Sequence, residues 1–295
     1  MWWVSLMDSP YQIIGPALIS FSGGRTSAYM LHQILHAHGG NLPQNVVVAF
    51  ANTGKEREET LRFVHECSQR WNVSIAWLEW RNTRKAHANK EMAVPETFEL
   101  VGYNSASRAG EPFEALINMK QRLPNSFERW CTQYLKVNCL TAYAGQVLGC
   151  NPGQYAEVIG LRADEPVRLE NGLARKIVDG RDLRWPLADA GVTKDIVMDF
   201  WRIQDFDLGL EPWEGNCDFC FMKGKGIRKR ILRDTPAVSA WWNQQEVNQG
   251  GWFDKRDTVR ELQEQVRTTP SFFDGFEPAD YDVECGLTCS GGQAA

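Results

Sequence analysis

The sequence predicts an α/β chain: a doubly wound, mostly parallel sheet with helices on both faces, followed by a helical extension that carries cysteines. Three observations predict it. Apolar runs of strand length alternate with amphipathic stretches of helix length over most of the chain. A glycine-bearing hexapeptide joins the first strand to the first helix, and the alternation stops near Asn216. Unbroken apolar runs mark strands buried on both faces, and strand–helix alternation calls for crossovers on both sides of a parallel sheet.

The first strand is Ala17–Phe21 and the helix after it runs through Ala28–Leu35. Asn45–Ala51 is a second buried strand, closed by the turn Asn52-Thr53-Gly54. Glu56–Trp71 reads as a helix with acidic residues in its first turn, where they complement the helix dipole. Val73–Trp80 alternates as a third strand, Glu114–Gly149 is helical with a break near Pro124, and Tyr155–Leu161 is a fourth strand. Residues 1–215 are thus expected to form the α/β domain. Residues 216–295 form the extension, with a cysteine pair, a basic run, a tryptophan-rich helix and a cysteine-bearing terminus.

Composition bounds the function. A hydrophobic content of 43% over 295 residues suffices for a sizeable core, and a net charge of −5 argues against broad, nonspecific nucleic-acid binding. No apolar run approaches a membrane span, and Met1–Met7 lacks the charged and apolar regions of a signal peptide. A cytoplasmic protein without a membrane partner is expected. In that compartment the eight cysteines are thiols, metal ligands or catalytic groups in preference to disulfides.

The hexapeptide Ser22-Gly23-Gly24-Arg25-Thr26-Ser27 carries the most chemistry. Its glycines let backbone N–H groups converge, the next helix offers its positive end, and three hydroxyls and a guanidinium complete an oxyanion site. A glycine turn with a serine cap is the plainer reading, and the strand before and helix after favour the oxyanion site. Ligands of such sheets bind beyond the strands' carboxyl ends. That rule brings residues 22–27, 52–55 and 161–164 to one rim, where Asn52, Thr53 and Gly54 can bind ribose or phosphate and Arg162 can clamp an anion.

Cys217-Asp218-Phe219-Cys220 fits tetrahedral thiolate ligation of zinc or an iron–sulfur cluster. A four-thiolate site needs two more ligands from elsewhere in the chain. Cys67, Cys139 and Cys150 read as buried small hydrophobes, His32 and His36 as helix-surface residues, and Lys223–Arg230 as a solvated helix start or a phosphate contact.

Together these segments resemble the phosphoadenylyl sulfate (PAPS) reductase family within the adenine nucleotide alpha-hydrolase-like, pyrophosphate-loop (PP-loop) group. Residues 22–27 resemble its S-G-G-x-[DT]-S loop; ATP pyrophosphatases of the group usually carry Lys-Asp where this chain has Arg25-Thr26. Thr53-Gly54 with Glu59-Thr60, Gly160-Leu161-Arg162 with Glu165, and Glu284-Cys285-Gly286-Leu287 resemble further family segments. Trp130 replaces the first cysteine of the pair found in iron–sulfur sulfonucleotide reductases. The R-x-C-T-x-x-L-K and N-C-x-x-C-F segments are similar to phage-type and DNA-phosphorothioation relatives. The resemblance implies a Rossmann-like PP-loop fold, an adenine nucleotide (ATP or PAPS, with Mg2+ as a companion), and sulfur chemistry at a 4Fe-4S cluster on Cys131, Cys217, Cys220 and Cys285. Zinc is the alternative metal. Arg25 would stabilise charge, and Cys285 or Cys289 would be either nucleophile or ligand. The partners expected are an electron-donor or sulfur-donor protein, a nucleic-acid acceptor and a second copy of the chain. The competing reading is a noncatalytic, zinc-stabilised nucleic-acid-binding module.

Overall fold

Successive residues of the central strand are delivered to two different cores. The computed structural model describes residues 9–82, 98–211 and 213–271. In it β1 (Ala17–Ser20) is buried throughout, with Ala17 and Ile19 in one hydrophobic cluster and Leu18 in the other. β2 (Val46–Asn52) repeats the division, Val48 and Phe50 against Ala49 and Ala51. This is the two-residue period of a strand, and a sheet apolar on both faces has to be covered on both.

The first cluster is closed by α1 (Arg25–Ala37) and α2 (Glu58–Arg70), through Met30, Leu31, Leu61 and Phe63. The second is closed by α3 (Glu111–Lys120) and α4 (Cys139–Leu148), through Leu116, Ile117, Leu140 and Ala144. The expected break in the 114–149 helical stretch spans most of 121–131, and α4 is entered through a π-helical segment, Thr132–Asn138.

Among the described residues the sheet has six strands, in the order β4-β3-β2-β1-β5-β6. All neighbours are parallel apart from the antiparallel pair of β3 (Ile75–Trp80) and β4 (Phe98–Val101). β5 (Ala156–Ile159) lies on the other side of β1, with β6 (Asp182–Arg184) beyond it. The doubly wound, mostly parallel architecture is therefore as expected, with β4 and β6 added. Ser20 stands opposite both Ala49 and Ile159, so the loops after β1, β2 and β5 leave the sheet at one level. Strand order reverses at β1, and the crevice there is where such sheets take ligands.

After β5 come α5 (Pro166–Asp179), the single turn α6 (Pro186–Asp189) and α7 (Lys194–Arg202), whose Trp201 enters the first cluster. The C-terminal helices α8 (Lys225–Asp234), α9 (Ser239–Gln249) and α10 (Val259–Thr268) place Ile231, Trp242 and Leu262 in the same cluster as Leu18 and Ala49. The basic run is solvated only in part, at Lys225 and Arg230. Lys223, Arg228 and Lys229 are buried, and Arg228 Nη2 donates to Asp254 Oδ2 at 2.6 Å. Cys67 and Cys139 are buried as expected, whereas Cys150 is half-buried. His32 corrects its surface assignment: it is half-buried between Trp71 and Phe200. Among the described residues no helix is long and apolar enough to cross a membrane.

Candidate functional site

The loop after β1 is tied to itself by one hydroxyl. Ser27 Oγ accepts the Ser22 N–H (3.2 Å) and the Ser22 hydroxyl (2.9 Å) and donates to Gly24 O (3.0 Å). Gly23 has φ +80°, and a Cβ there would lie 2.7 Å from Thr60 Cγ2, so both conformation and space require glycine. Gly24 is the N-cap of α1 and supplies no side-chain cap, which leaves the positive end of the helix dipole at the loop.

The neighbouring charged groups follow. Arg25 forks onto Asp207 (Nε–Oδ1 2.7 Å, Nη2–Oδ2 2.5 Å) and donates to Leu210 O (3.0 Å). Burial raises the Asp207 pKa, but the hydrogen bond and charge of Arg25 outweigh it, and the carboxyl is held below its usual range. Arg162, after β5, is only 1% exposed. Its Nε donates to Asp164 Oδ1 (2.9 Å) and its Nη1 to Thr26 Oγ1 (3.2 Å), while its N–H is held by Glu165 Oε2 (2.9 Å). A buried guanidinium thus faces the first turn of α1.

The turn after β2 is built on two buried carboxylates. Asn52 Nδ2 donates to Glu79 Oε1 (2.7 Å) and Ser107 O (2.9 Å), and its Oδ1 accepts the Gly54 N–H (3.0 Å). Glu56 Oε2 accepts both the N–H (2.9 Å) and the hydroxyl (2.5 Å) of Thr53. Its other oxygen meets Lys136 Nζ at 3.4 Å and the Cys217 thiol at 3.8 Å.

That carboxylate leads to the cysteines. Cys131, Cys217 and Cys220 line one pocket, with Thr53, Arg129, Thr132, Lys136 and Trp242 among its other walls. Hydrogen bonds spanning five residues in the π segment put Thr132 and Lys136 on the same side, beside Cys131. The Cys217–Cys220 knuckle is docked by an antiparallel bridge between Glu56 and Cys217, and by the Asp218 N–H donating to Lys55 O (2.9 Å). Asp218 also pairs with Lys55 Nζ (2.8 Å) and accepts from Trp242 Nε1 (2.8 Å). Burial pushes its carboxyl pKa up against the pull of Lys55, and burial pushes the nearby Lys223 down against the pull of Cys220 and Cys217.

Of the expected ligands, the structure brings Cys131, Cys217 and Cys220 around one pocket. Cys285 and Cys289 lie outside the described residues. Among the described residues no group of three or more His, Cys, Asp or Glu side chains is arranged to hold a metal ion. The expected nucleotide residues fall on the three adjacent loops. Sequence reasoning missed Glu79, Lys136, Asp207 and Asn216, whose Nδ2 donates to Ser22 O at 2.6 Å, as residues of this region. Lys136 and Asn216 carried a signal, since both stand in the segments similar to phage-type relatives; Glu79 and Asp207 carried none.

Three comparisons bear on this site. The model of the phosphoadenosine phosphosulfate reductase domain matches residues 16–171, which contain β1 to β5 and all three rim loops. An uncharacterized nin region protein of Escherichia phage lambda, ORF290, is 30% identical over 251 residues, covering 84% of this chain and 79% of that protein. The solved structure of the U34-tRNA thiolase NcsA from Methanococcus maripaludis with its [4Fe-4S] cluster is a distant likeness. It has 10% identity and a TM-score of 0.32, covering 88% of this chain and 74% of that one.

Proposed function

The chain belongs to the phosphoadenosine phosphosulfate reductase domain family, and on that premise we propose that it is an enzyme that binds an adenine nucleotide at residues 22–27 and carries out sulfur chemistry in the adjoining cysteine pocket. The observation that carries this reading is the meeting of Cys131, Cys217 and Cys220 around one pocket whose wall includes Thr53, a residue of the nucleotide rim. The α1 N-terminus and the loop amides bind the phosphates or sulfate, and Arg162 adds a desolvated positive charge beside Thr26. Lys136, held by Glu56, and Arg129 stand in the pocket wall beside the thiols.

The donor set fits an iron–sulfur cluster or zinc: three soft sulfur ligands line one pocket with cations beside them. Cys131, Cys217 and Cys220 would hold the group, with Cys285 or Cys289 as the fourth thiolate. A bound cluster would supply electrons or a point of attachment for sulfur. Two reactions suit this arrangement. In one, a sulfonucleotide is reduced to sulfite with an electron pair from a donor protein; in the other, ATP adenylates an acceptor oxygen with loss of pyrophosphate, and sulfide-level sulfur from a donor protein takes the place of that oxygen as AMP leaves.

The test is an anaerobic preparation assayed for iron, zinc and visible absorbance, then incubated separately with ATP and with PAPS. Sulfite from PAPS supports reduction, and acceptor-dependent pyrophosphate from ATP supports transfer. Neither product, from protein with full metal content, acceptor and reductant, refutes the enzyme reading. A colourless protein with one zinc and no turnover is the result the structural module requires.

A further inference from the structure

α5 turns its apolar side outward. Gly172 is the one buried residue of the helix, whereas Val167 (67% exposed), Leu173 (51%), Ile177 (75%) and Val178 (82%) lie open. The half-buried side carries cations instead. Arg168 pairs with Glu165, and Lys176 Nζ reaches the Leu183 carbonyl of β6 at 3.0 Å and Asp182 Oδ1 at 3.7 Å. A surface helix ordinarily does the opposite, and exposed apolar groups gathered on one element mark an interaction surface. The reach of Lys176 shows which flank of the helix overhangs β6. Leu169, Leu173 and Ile177, spaced i, i+4 and i+8, run as a stripe along that same flank, with half-buried Leu169 packed on the core.

Beneath the stripe, β6 lies at the edge of the sheet and among the described residues pairs with β5 alone. Its three residues, Asp182-Leu183-Arg184, are self-complementary. In an antiparallel pairing of two such strands centred on Leu183, Asp182 of each chain stands directly opposite Arg184 of the other, on the same face. Within one chain the two side chains pair with each other (Nη2–Oδ2 2.7 Å), so exchanging partners across the axis strands no charge.

We propose that two copies of the chain associate through this edge, β6 against β6 about a twofold axis, with the Leu169–Leu173–Ile177 stripes meeting beside the joined strands. The same patch serves on both copies, as a twofold interface requires. The Leu183 carbonyl has a second lone pair for a partner besides Lys176. Three strand residues and one helix stripe make a small interface, so the dimer is reversible and forms in the micromolar range. It needs neither the nucleotide nor the cysteine reading.

The test is sedimentation velocity of the full-length protein, with reductant present, from about 1 to 100 µM. The wild type should pass reversibly from monomer to dimer. Ile177→Glu, at a position open in the single chain, should raise the dissociation constant about a hundredfold or more, because the dimer buries that side chain twice. Val178→Glu, on the opposite flank of the helix, should leave it unchanged. Asp182→Arg and Arg184→Asp each set like charges opposite one another and should weaken the dimer about tenfold or more. An equimolar mixture of those two variants should dimerise again, as should the chain carrying both, an outcome that misfolded variants could not produce. A wild type that stays monomeric over this range overturns the proposal and leaves the face to a partner of another kind. A charge variant that keeps the wild-type dissociation constant, a mixture that fails to dimerise, or a Val178→Glu protein as weak as Ile177→Glu overturns it equally, because β6 is then not the joint.

Discussion

Replacing Gly23 by alanine tests the loop after β1 at its tightest point. Gly23 has φ +80°, and an added Cβ would lie 2.7 Å from Thr60 Cγ2 and 3.1 Å from both Phe50 Cε2 and Val64 Cγ2. Placing an L side chain in the left-handed region costs roughly 1–2 kcal/mol. Forcing a methyl into a filled core costs about 1–3 kcal/mol. The stiffer unfolded chain returns about 0.4–1 kcal/mol, so Gly23→Ala should lose about 1–4 kcal/mol, read by urea unfolding. The two costs separate in a double-mutant cycle. Thr60→Ser removes Cγ2 while keeping the hydroxyl, whose oxygen is buried and has no hydrogen-bond partner among the described residues. The pair Gly23→Ala with Thr60→Ser should therefore recover the packing part and retain the conformational part, a coupling of about 1 kcal/mol or more. A loss below about 0.5 kcal/mol for Gly23→Ala would show that the loop is not held as described. A cycle with no coupling would show that Thr60 is not what the methyl meets.

Further outcomes are expected elsewhere. Arg162→Lys keeps the charge and loses the fork that reaches Asp164 and Thr26. Nucleotide affinity by calorimetry should fall about tenfold or more, the worth of one charge-assisted hydrogen bond; an unchanged affinity removes Arg162 from the oxyanion site. Burial pushes the Cys139 thiol up to about 12. At about pH 8 its alkylation in native protein should be roughly a thousandfold slower than that of an ordinary thiol, and comparable labelling of Cys139 and Cys150 would contradict its burial. Burial, and then the charge of His36, lower the pKa of His32. The unfolded chain therefore binds more protons as pH falls below about 6.5, and stability present above that pH is lost going down. The melting temperature should drop between about pH 7.5 and pH 5.5, and less so in His32→Phe. An equal drop in that variant would exonerate His32.

What the sequence revealed, and what it hid, follows from how much apolar surface each element buries. β1 and β2 are buried at nearly every residue and stand out as unbroken apolar runs. β6 has three residues, of which Leu183 alone is buried, and β4 is an edge strand with Glu99 and Leu100 exposed. Neither carries a period to detect, and each exists because a neighbouring strand offers a ladder. The same division holds in the site. Glycines and cysteines have few structural uses at those spacings, so residues 22–27 and 217–220 were legible. Asp207 and Glu79 are ordinary carboxylates until folding sets them against Arg25 and Asn52.

The two positions at which the loop departs from the Lys-Asp of ATP pyrophosphatases are also the two whose side chains leave it for other elements. Arg25 is matched by Asp207 and the Leu210 carbonyl, so its charge serves to fasten the 207–210 segment to the start of α1. Thr26 receives Arg162 Nη1. A carboxylate at position 26 would form an ion pair with that guanidinium and offset its charge at close range; a threonine hydroxyl accepts the hydrogen bond and leaves the charge in place. Buried charge is costly unless something compensates it. Asp164 and Glu165 supply that compensation, and on the proposed reading a phosphate or sulfate is bound beside the guanidinium. The departures therefore move the positive charge of the rim from the loop's own side chain to the loop after β5. On the proposed reading the nucleotide site is shared between β1 and β5, the two strands between which the sheet reverses.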